Sequence, residues 1–250
     1  MSFAGRFSDR ADDYAAGRPS YPAEAIDALF DGLGDPGGVV VADLGAGTGI
    51  SSRLLAARGA LVFAVEPNAA MRNAAEPDER VRWVDGTAER TGLDEASADL
   101  ATVFQAFHWF DHALALREIV RVVRPGGRAA VVYNERDESD PFTAAYGALV
   151  RTYQTDDTER RRTDGLETFA AFEAWHGGAR RFRFRNSHRL DREGLHARAR
   201  STSYLPKNGS DGERLRGALD ELFDRFAQHG AVTMAMETTV VIGELGADGG

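Results

Sequence analysis

The apolar positions of this chain change rhythm at Tyr133. Before it, short continuous apolar runs alternate with amphipathic stretches. Val39–Leu44 is broken only by Asp43, as expected of a strand buried on both faces; Leu61–Val65, Val81–Val84, Leu100–Phe104 and Ala129–Tyr133 read as further strands. Between them, Ile50–Arg58 reads as a helix with Leu54 and Leu55 inward. Asn68–Ala75 reads as a second helix capped by Asn68, and Ala113–Val123 as a third with Leu114, Ile119 and Val123 on one face. Pro125-Gly126-Gly127 is expected to stop that third helix. Strict strand–helix alternation implies right-handed crossovers and an α/β, doubly wound, mainly parallel sheet.

After Tyr133 the signals weaken. Residues 134–180 mix aromatics, arginines and acids with weak strand character, and DDTERRR reads as a solvated face. RFRFR (181–185) alternates strictly, so it reads as a strand with Phe182 and Phe184 inward. Glu213–Gln228 reads as an amphipathic helix, and Val232–Leu245 contains a last strand, which makes seven strands in all. The whole of 1–250 is expected to be one domain. Its parts are an N-terminal segment (1–37), a core (38–133), insertions on the substrate side (134–210), and a final helix and strand (211–250).

Composition narrows the function. The chain has 250 residues, a formal net charge of −9 and no cysteine. Such a charge repels a phosphate backbone, which argues against nucleic acid as the main partner. Without cysteine there is neither a disulfide framework nor thiolate chemistry, and a reducing cytoplasm is the expected setting. No apolar window has membrane length, and MSFAGRFSDRADD carries no apolar signal region.

The most informative chemistry lies in VADLGAGTGISS. A strand runs into Gly45-Ala46-Gly47-Thr48-Gly49, and a helix follows at once. Glycines suit a tight reversal where a ligand approaches the backbone, although a plain tight turn uses them too. The dinucleotide fingerprint wants G-x-G-x-x-G/A, but here Ile50 holds the third position and Gly49 comes one residue early. Asp43 followed by G-x-G-x-G instead resembles motif I of class I S-adenosylmethionine-dependent methyltransferases. Glu66, ending the second strand, can accept from both hydroxyls of a ribose, each bond worth roughly 1.5–3 kcal/mol. That role serves S-adenosylmethionine and NAD alike, and the same acid can cap the helix that starts near Asn68. Pro67 follows it at the site. Asp85-Gly86-Thr87-Ala88 after the third strand suits an Asx-type turn. It also resembles the adenine-contacting loop of the same enzymes, which places Asp85 and Ala88 near the adenine.

Over residues 40–133 the chain thus resembles the methyltransferase type 11 group, with RVVRPGGRAAVV similar to that group's entry to strand five. The resemblance implies a Rossmann-like fold with an N-terminal helical lid and an insertion after strand five. FSDRADDYAAGRPSYP (7–22) and RSTSYLP (200–206) resemble segments of small-molecule enzymes in this group. In such relatives the N-terminal segment folds over the cofactor, which implies that Tyr14 and Arg18 meet its methionine carboxylate. An exposed arginine on a surface helix is the competing reading of Arg18. The implied cofactor is S-adenosylmethionine, with S-adenosylhomocysteine as product and a small organic molecule as acceptor.

Strand four ends in VFQAFHWFD, at the edge where a doubly wound sheet binds ligands. QAFHWF resembles the run beside the cofactor in type 11 relatives, which implies that Gln105, His108 and Trp109 flank the reacting atoms. His108, with an ordinary pKa near ~6.5, could remove an acceptor proton, or could simply hydrogen-bond nearby backbone. His108 and His112 lack third and fourth partners at metal-site spacing, so no metal is expected. RFRFR could greet an anionic acceptor through Arg181, Arg183 or Arg185, against the simpler reading of outward arginines. Phe142, Tyr146, Tyr153, Phe169, Phe172 and Trp175 fit either an acceptor pocket or a local apolar core. Two other function classes stay open: a non-catalytic S-adenosylmethionine-binding protein, and an NAD(P)-dependent oxidoreductase.

Overall fold

A computed structural model describes residues 18–155, 170, 172–174, 178–202 and 204–245. Tyr14, Phe169, Trp175 and the DDTERRR segment lie outside the described residues, as does the N-terminal segment before Arg18. Seven strands form one sheet in the order β3-β2-β1-β4-β5-β7-β6. They are β1 (Val40–Leu44), β2 (Leu61–Val65), β3 (Val81–Val84), β4 (Ala98–Phe104), β5 (Val123–Arg136), β6 (Arg180–Leu190) and β7 (Val232–Glu244). The first five run parallel, while β7 is antiparallel to β5 and β6 antiparallel to β7.

Alternation along the central strands explains the two layers. Val41, Val62 and Val132 face one side, where Ile26 and Leu29 of α1 (Ala23–Phe30) and Leu55 of α2 (Ile50–Ala56) pack on them. Ala42, Leu44 and Val131 face the other, covered by Leu116 and Ile119 of α4 (His112–Val122). The short α3 (Ala69–Asn73) begins as expected, with the Asn68 side chain accepting from the Ala70 amide.

One expectation needs correcting, and two gain detail. Pro125-Gly126-Gly127 does not separate helix from strand: α4 ends at Val122 and β5 starts at Val123, carrying the glycines through a shift in its register with β4. Gly127 tolerates no side chain there, since a Cβ would lie 2.7 Å from the Asp99 carbonyl oxygen. Second, 134–180, where strand signals are weak, contains a helix. Asp140 accepts from the Thr143 amide and Pro141 opens a helix, α5 (Pro141–Tyr153), with Phe142, Tyr146 and Val150 on its buried face. Third, RFRFR is part of an eleven-residue edge strand of the main sheet. Phe182 and Phe184 do pack inward on it, while Arg183 and Arg185 stand exposed.

The second half of the chain builds its own apolar cluster. Phe142 and Tyr146 of α5 meet Leu195 of α6 (Arg192–Arg200), Leu219 of α7 (Gly209–Phe226) and Met234 of β7. Among these, Phe142 and Tyr146 are core side chains. This cluster sits beside the outer half of the β6–β7 ladder, and α6 and α7 carry it towards the carboxyl edge of the parallel strands.

His188 of β6 marks the join. Burial, with the Arg198 charge nearby, pulls its imidazole down to about 4, and its Nδ1 finds no hydrogen-bond partner. The unfolded chain takes up this proton near 6.5 and the folded chain only near 4, so the unfolded state binds more protons between those values. Stability from this group is therefore complete above pH 6.5 and is lost as pH falls towards 4. Urea midpoints at pH 5 and pH 7.5 should differ less in His188→Gln than in the wild-type chain; an unchanged difference would remove His188 from the acid sensitivity.

Candidate active site

The site forms where the parallel strands end. β1 stops at Leu44, and the chain turns through Gly45, Gly47 and Gly49, all with positive φ. At Gly45 a Cβ would lie 2.8 Å from the Ala106 side chain, and at Gly49 2.9 Å from the Trp83 ring, so the loop is packed as well as turned.

Two acids hold this loop. Asp43 is fully buried; Ser51 and Ser52 of α2 donate to its Oδ2 at 2.7 and 2.6 Å, and Thr102 of β4 donates to Oδ1 at 2.8 Å. Burial raises this carboxyl against the three hydroxyl bonds that lower it. Its hydrogen bonds point at helix and sheet, so its place is beneath the loop. Glu66, at the end of β2, accepts from the Gly47 amide at 3.0 Å and from the Asn68 amide at 2.9 Å, one on each oxygen. Burial raises this carboxyl too, while the two amides and the Arg72 charge lower it. Glu66 thus ties the glycine loop and also meets the start of α3, as expected of an acid in front of that helix.

Arg72 extends the chain of contacts. It donates to the Glu66 carbonyl oxygen at 2.5 Å and pairs with Asp85 at 3.1 Å. Asp85 is exposed, Gly86 lies against Thr91 and Ala88 is buried. Thr87 and Arg90 close the turn through reciprocal backbone bonds of 3.0 and 3.1 Å. Pro67 lies between Glu66 and the α3 cap.

Gln105, just past β4, adopts φ 56, a left-handed backbone uncommon for a non-glycine residue. Two bonds hold it: its amide N–H to the Val132 carbonyl and its side-chain Nε2 to the Asn134 carbonyl, both 2.9 Å. Phe107–Trp109 then form a single 3₁₀ turn. The His108 backbone N–H donates to the Tyr133 hydroxyl at 3.1 Å, and the ring Nδ1 lies 2.8 Å from the same hydroxyl. In the tautomer where Tyr133 donates to Nδ1, the ring's basic lone pair is already used and Nε2 carries the proton. Trp109 packs against His108 with ring centroids 4.6 Å apart.

The glycine loop and Gln105 border one cavity, about 670 Å³ of space with its solvent mouth included, which Glu66 and Asp85–Ala88 do not line. Gly45, Ala46 and Gln105 line it from the sheet edge, and Arg18 from the N-terminal side. Of the expected residues, Glu66 reaches the same loop through Gly47, whereas His108 and Trp109 sit beside the cavity and do not line it. The opposite wall comes from the stretch expected on the substrate side, but its residues Asn134, Arg136 and Arg198 were not singled out for it, while Tyr204 lies in the RSTSYLP segment. Asn134 also fastens the N-terminal segment, donating to the Ser20 carbonyl at 3.1 Å while Asn186 and Thr238 donate to its Oδ1. One signal existed for Arg198: with Leu195 and Thr202 it shares a three-then-four spacing, which puts an arginine on the inward face of a helix.

Among the described residues, no group of three or more His, Asp or Glu side chains has metal-site geometry, and no helix is long and apolar enough to cross a membrane.

Known proteins resemble this arrangement. The family profile described as a methyltransferase domain matches residues 42–131. An uncharacterized methyltransferase of Mycobacterium tuberculosis is 43% identical over 147 residues, a stretch that spans 58% of this chain and 58% of that protein. The match therefore reaches little more than half the length of that relative. An uncharacterized methyltransferase-like protein of Schizosaccharomyces pombe is 30% identical over 213 residues, 84% of this chain and 82% of that one. A solved phosphoethanolamine N-methyltransferase 2 from Haemonchus contortus shares the fold with a TM-score of 0.56 at 14% identity, over 99% of this chain and 61% of that one. By motif, profile and near-full-length likeness, the chain belongs to the class I S-adenosylmethionine-dependent methyltransferases.

Proposed function

We propose that the protein transfers the methyl group of S-adenosylmethionine to an oxygen or nitrogen of a small organic acceptor, by in-line displacement. The observation that carries this reading is the Glu66 carboxylate, held at the end of β2 by the Gly47 amide of the glycine loop. A carboxylate offers about four lone-pair sites, and the Gly47 and Asn68 amides occupy one on each oxygen, so capacity remains for the two hydroxyls of a ribose. Thr48 adds a buried hydroxyl with no partner in the wall of the cavity. The donor and acceptor set fits the cofactor.

In this reading Gly45, Ala46, Gly47 and Gly49 bring backbone close to the methionine part, with Asp43 holding the loop from below. Glu66 and Pro67 meet the ribose, and Asp85, Gly86, Thr87 and Ala88 border the adenine. Tyr14 and Arg18 close over the carboxylate end. When bound, S-adenosylmethionine supplies an electrophilic methyl group on a sulfonium, with a neutral thioether as leaving group. An acceptor that is already anionic needs no base, so alignment supplies most of the acceleration, up to about 7–11 kcal/mol in favourable cases. Gln105, with its Nε2 committed to Asn134, keeps its side-chain oxygen to orient the acceptor. His108 and Trp109 stand behind it, and His108 would take an acceptor proton only if its ring gave up the bond to the Tyr133 hydroxyl. The H. contortus enzyme is described in complex with S-adenosylhomocysteine, in keeping with this use of the fold. The acidic net charge and absent cysteine go with a small-molecule acceptor and a cytoplasmic setting.

Calorimetric titration with S-adenosylmethionine, S-adenosylhomocysteine and NAD tests the cofactor, followed by labelled methyl transfer in Gln105→Ala, His108→Ala and Trp109→Ala. Binding of the first two ligands without NAD, and slowed transfer at retained cofactor affinity, is the expected result. NAD binding alone would overturn the reading, and full rates in all three variants would put the reaction centre elsewhere.

A further inference from the structure

The wall that the second half of the chain contributes carries an unusual charge. Arg18, Arg136 and Arg198 all line the cavity, and among the described residues none that lines it is acidic. This occurs in a chain whose net charge is −9. Buried charges are ordinarily paired, because an isolated ion loses hydration that nothing replaces.

Arg198 departs from that rule. It is 6% exposed, and its Nε has no hydrogen-bond partner. The charges it feels most closely are those of Arg18 and Arg136, which with burial lower its guanidinium to about 10, while Tyr146 and Tyr204 act the other way. Arg136 lies 3.8 Å from Glu138, whose carboxylate also accepts from the two terminal nitrogens of Arg151 at 2.8 and 3.1 Å. Arg18 reaches the Ser201 carbonyl at 3.3 Å. Beside the arginines, Phe104, Tyr204 and Met236 supply an apolar lining.

We propose that this cavity binds the acceptor by an anionic head, a carboxylate or a phosphate, held by Arg198 with Arg136 beside it, and packs the acceptor's apolar body on Phe104, Tyr204 and Met236. The inference rests on the methyl-transfer reading and names its substrate class. One guanidinium fork satisfies one carboxylate, so Arg18 suffices for the cofactor's own carboxylate and leaves Arg198 for the acceptor. The counter-charge that Arg198 lacks among the described residues is then brought by the substrate, and neutral analogues of the same shape are rejected.

The test uses the full chain, titrated with S-adenosylhomocysteine and then, with and without it, with succinate, benzoate and inorganic phosphate against succinamide and benzamide. The wild-type chain should bind at least one anion and neither amide. Arg198→Met should weaken that anion by about 10- to 100-fold while S-adenosylhomocysteine affinity stays within about threefold. Arg198→Lys, which keeps the charge and loses the fork, should fall between, and it carries the comparison if the methionine variant does not fold. Equal anion binding in variant and wild type, or no anion binding at all, overturns the proposal. A parallel loss of S-adenosylhomocysteine and anion in Arg198→Met also overturns it, by assigning the guanidinium to the cofactor's carboxylate. Absent S-adenosylhomocysteine binding in the wild-type chain would instead count against the methyl-transfer reading, with the anion arms still readable.

Discussion

Glu66→Ala is expected to weaken S-adenosylhomocysteine binding by about 10²- to 10⁴-fold, measured by calorimetry at neutral pH. Two charge-assisted hydrogen bonds to a ribose, each worth roughly 1.5–3 kcal/mol, set the size of that loss. The variant also frees the Gly47 and Asn68 amides that the carboxylate now holds. Glu66→Gln separates the two contributions. It keeps one acceptor oxygen for a backbone amide but gives up the charge, so it should lie nearer to wild type in thermal stability than in affinity. An affinity loss below about threefold in Glu66→Ala would show that the ribose is held elsewhere.

Asp43→Ala should cost about 3 kcal/mol or more in stability, read from the urea midpoint at constant m. The side chain is fully buried and takes hydrogen bonds from Ser51, Ser52 and Thr102, so its loss leaves three interior hydroxyls without an acceptor. Each orphaned group costs about 1–3 kcal/mol, reduced where a hydroxyl can rotate to another acceptor. Asp43→Asn keeps one acceptor oxygen in the same shape and should lose about half as much. Because Asp43 fastens β1 and β4 to the start of α2, the expected order is stability first and cofactor affinity second. A variant that binds poorly yet unfolds normally would instead place Asp43 on the ligand.

Positions such as Asp43 and Glu66 were legible because their surroundings are local or repetitive. A carboxylate that ends a buried strand, directly before a glycine loop or a helix, has few roles open to it. The helix Pro141–Tyr153 was legible in principle through Asp140-Pro141 and the Phe142, Tyr146, Val150 spacing, but its aromatics also suit a strand. His108 shows the opposite limit: the residue was found, yet its bond to the Tyr133 hydroxyl joins positions 25 apart in sequence.

The sequence by itself determined the five parallel strands, the glycine loop between Leu44 and Ile50, and the acid at the end of β2. Each depends on a periodicity or a spacing that fits within one strand–helix unit. Only the tertiary structure decided that β7 inserts between β5 and β6, and that α5, α6 and α7 pack into a cluster beside the open edge. Only it decided that Arg18, Arg136 and Arg198, 180 residues apart from first to last, share one cavity with no acid among its described lining residues. An arginine on a helix looks solvated until distant elements close over it, because burial belongs to the packed chain and not to the segment.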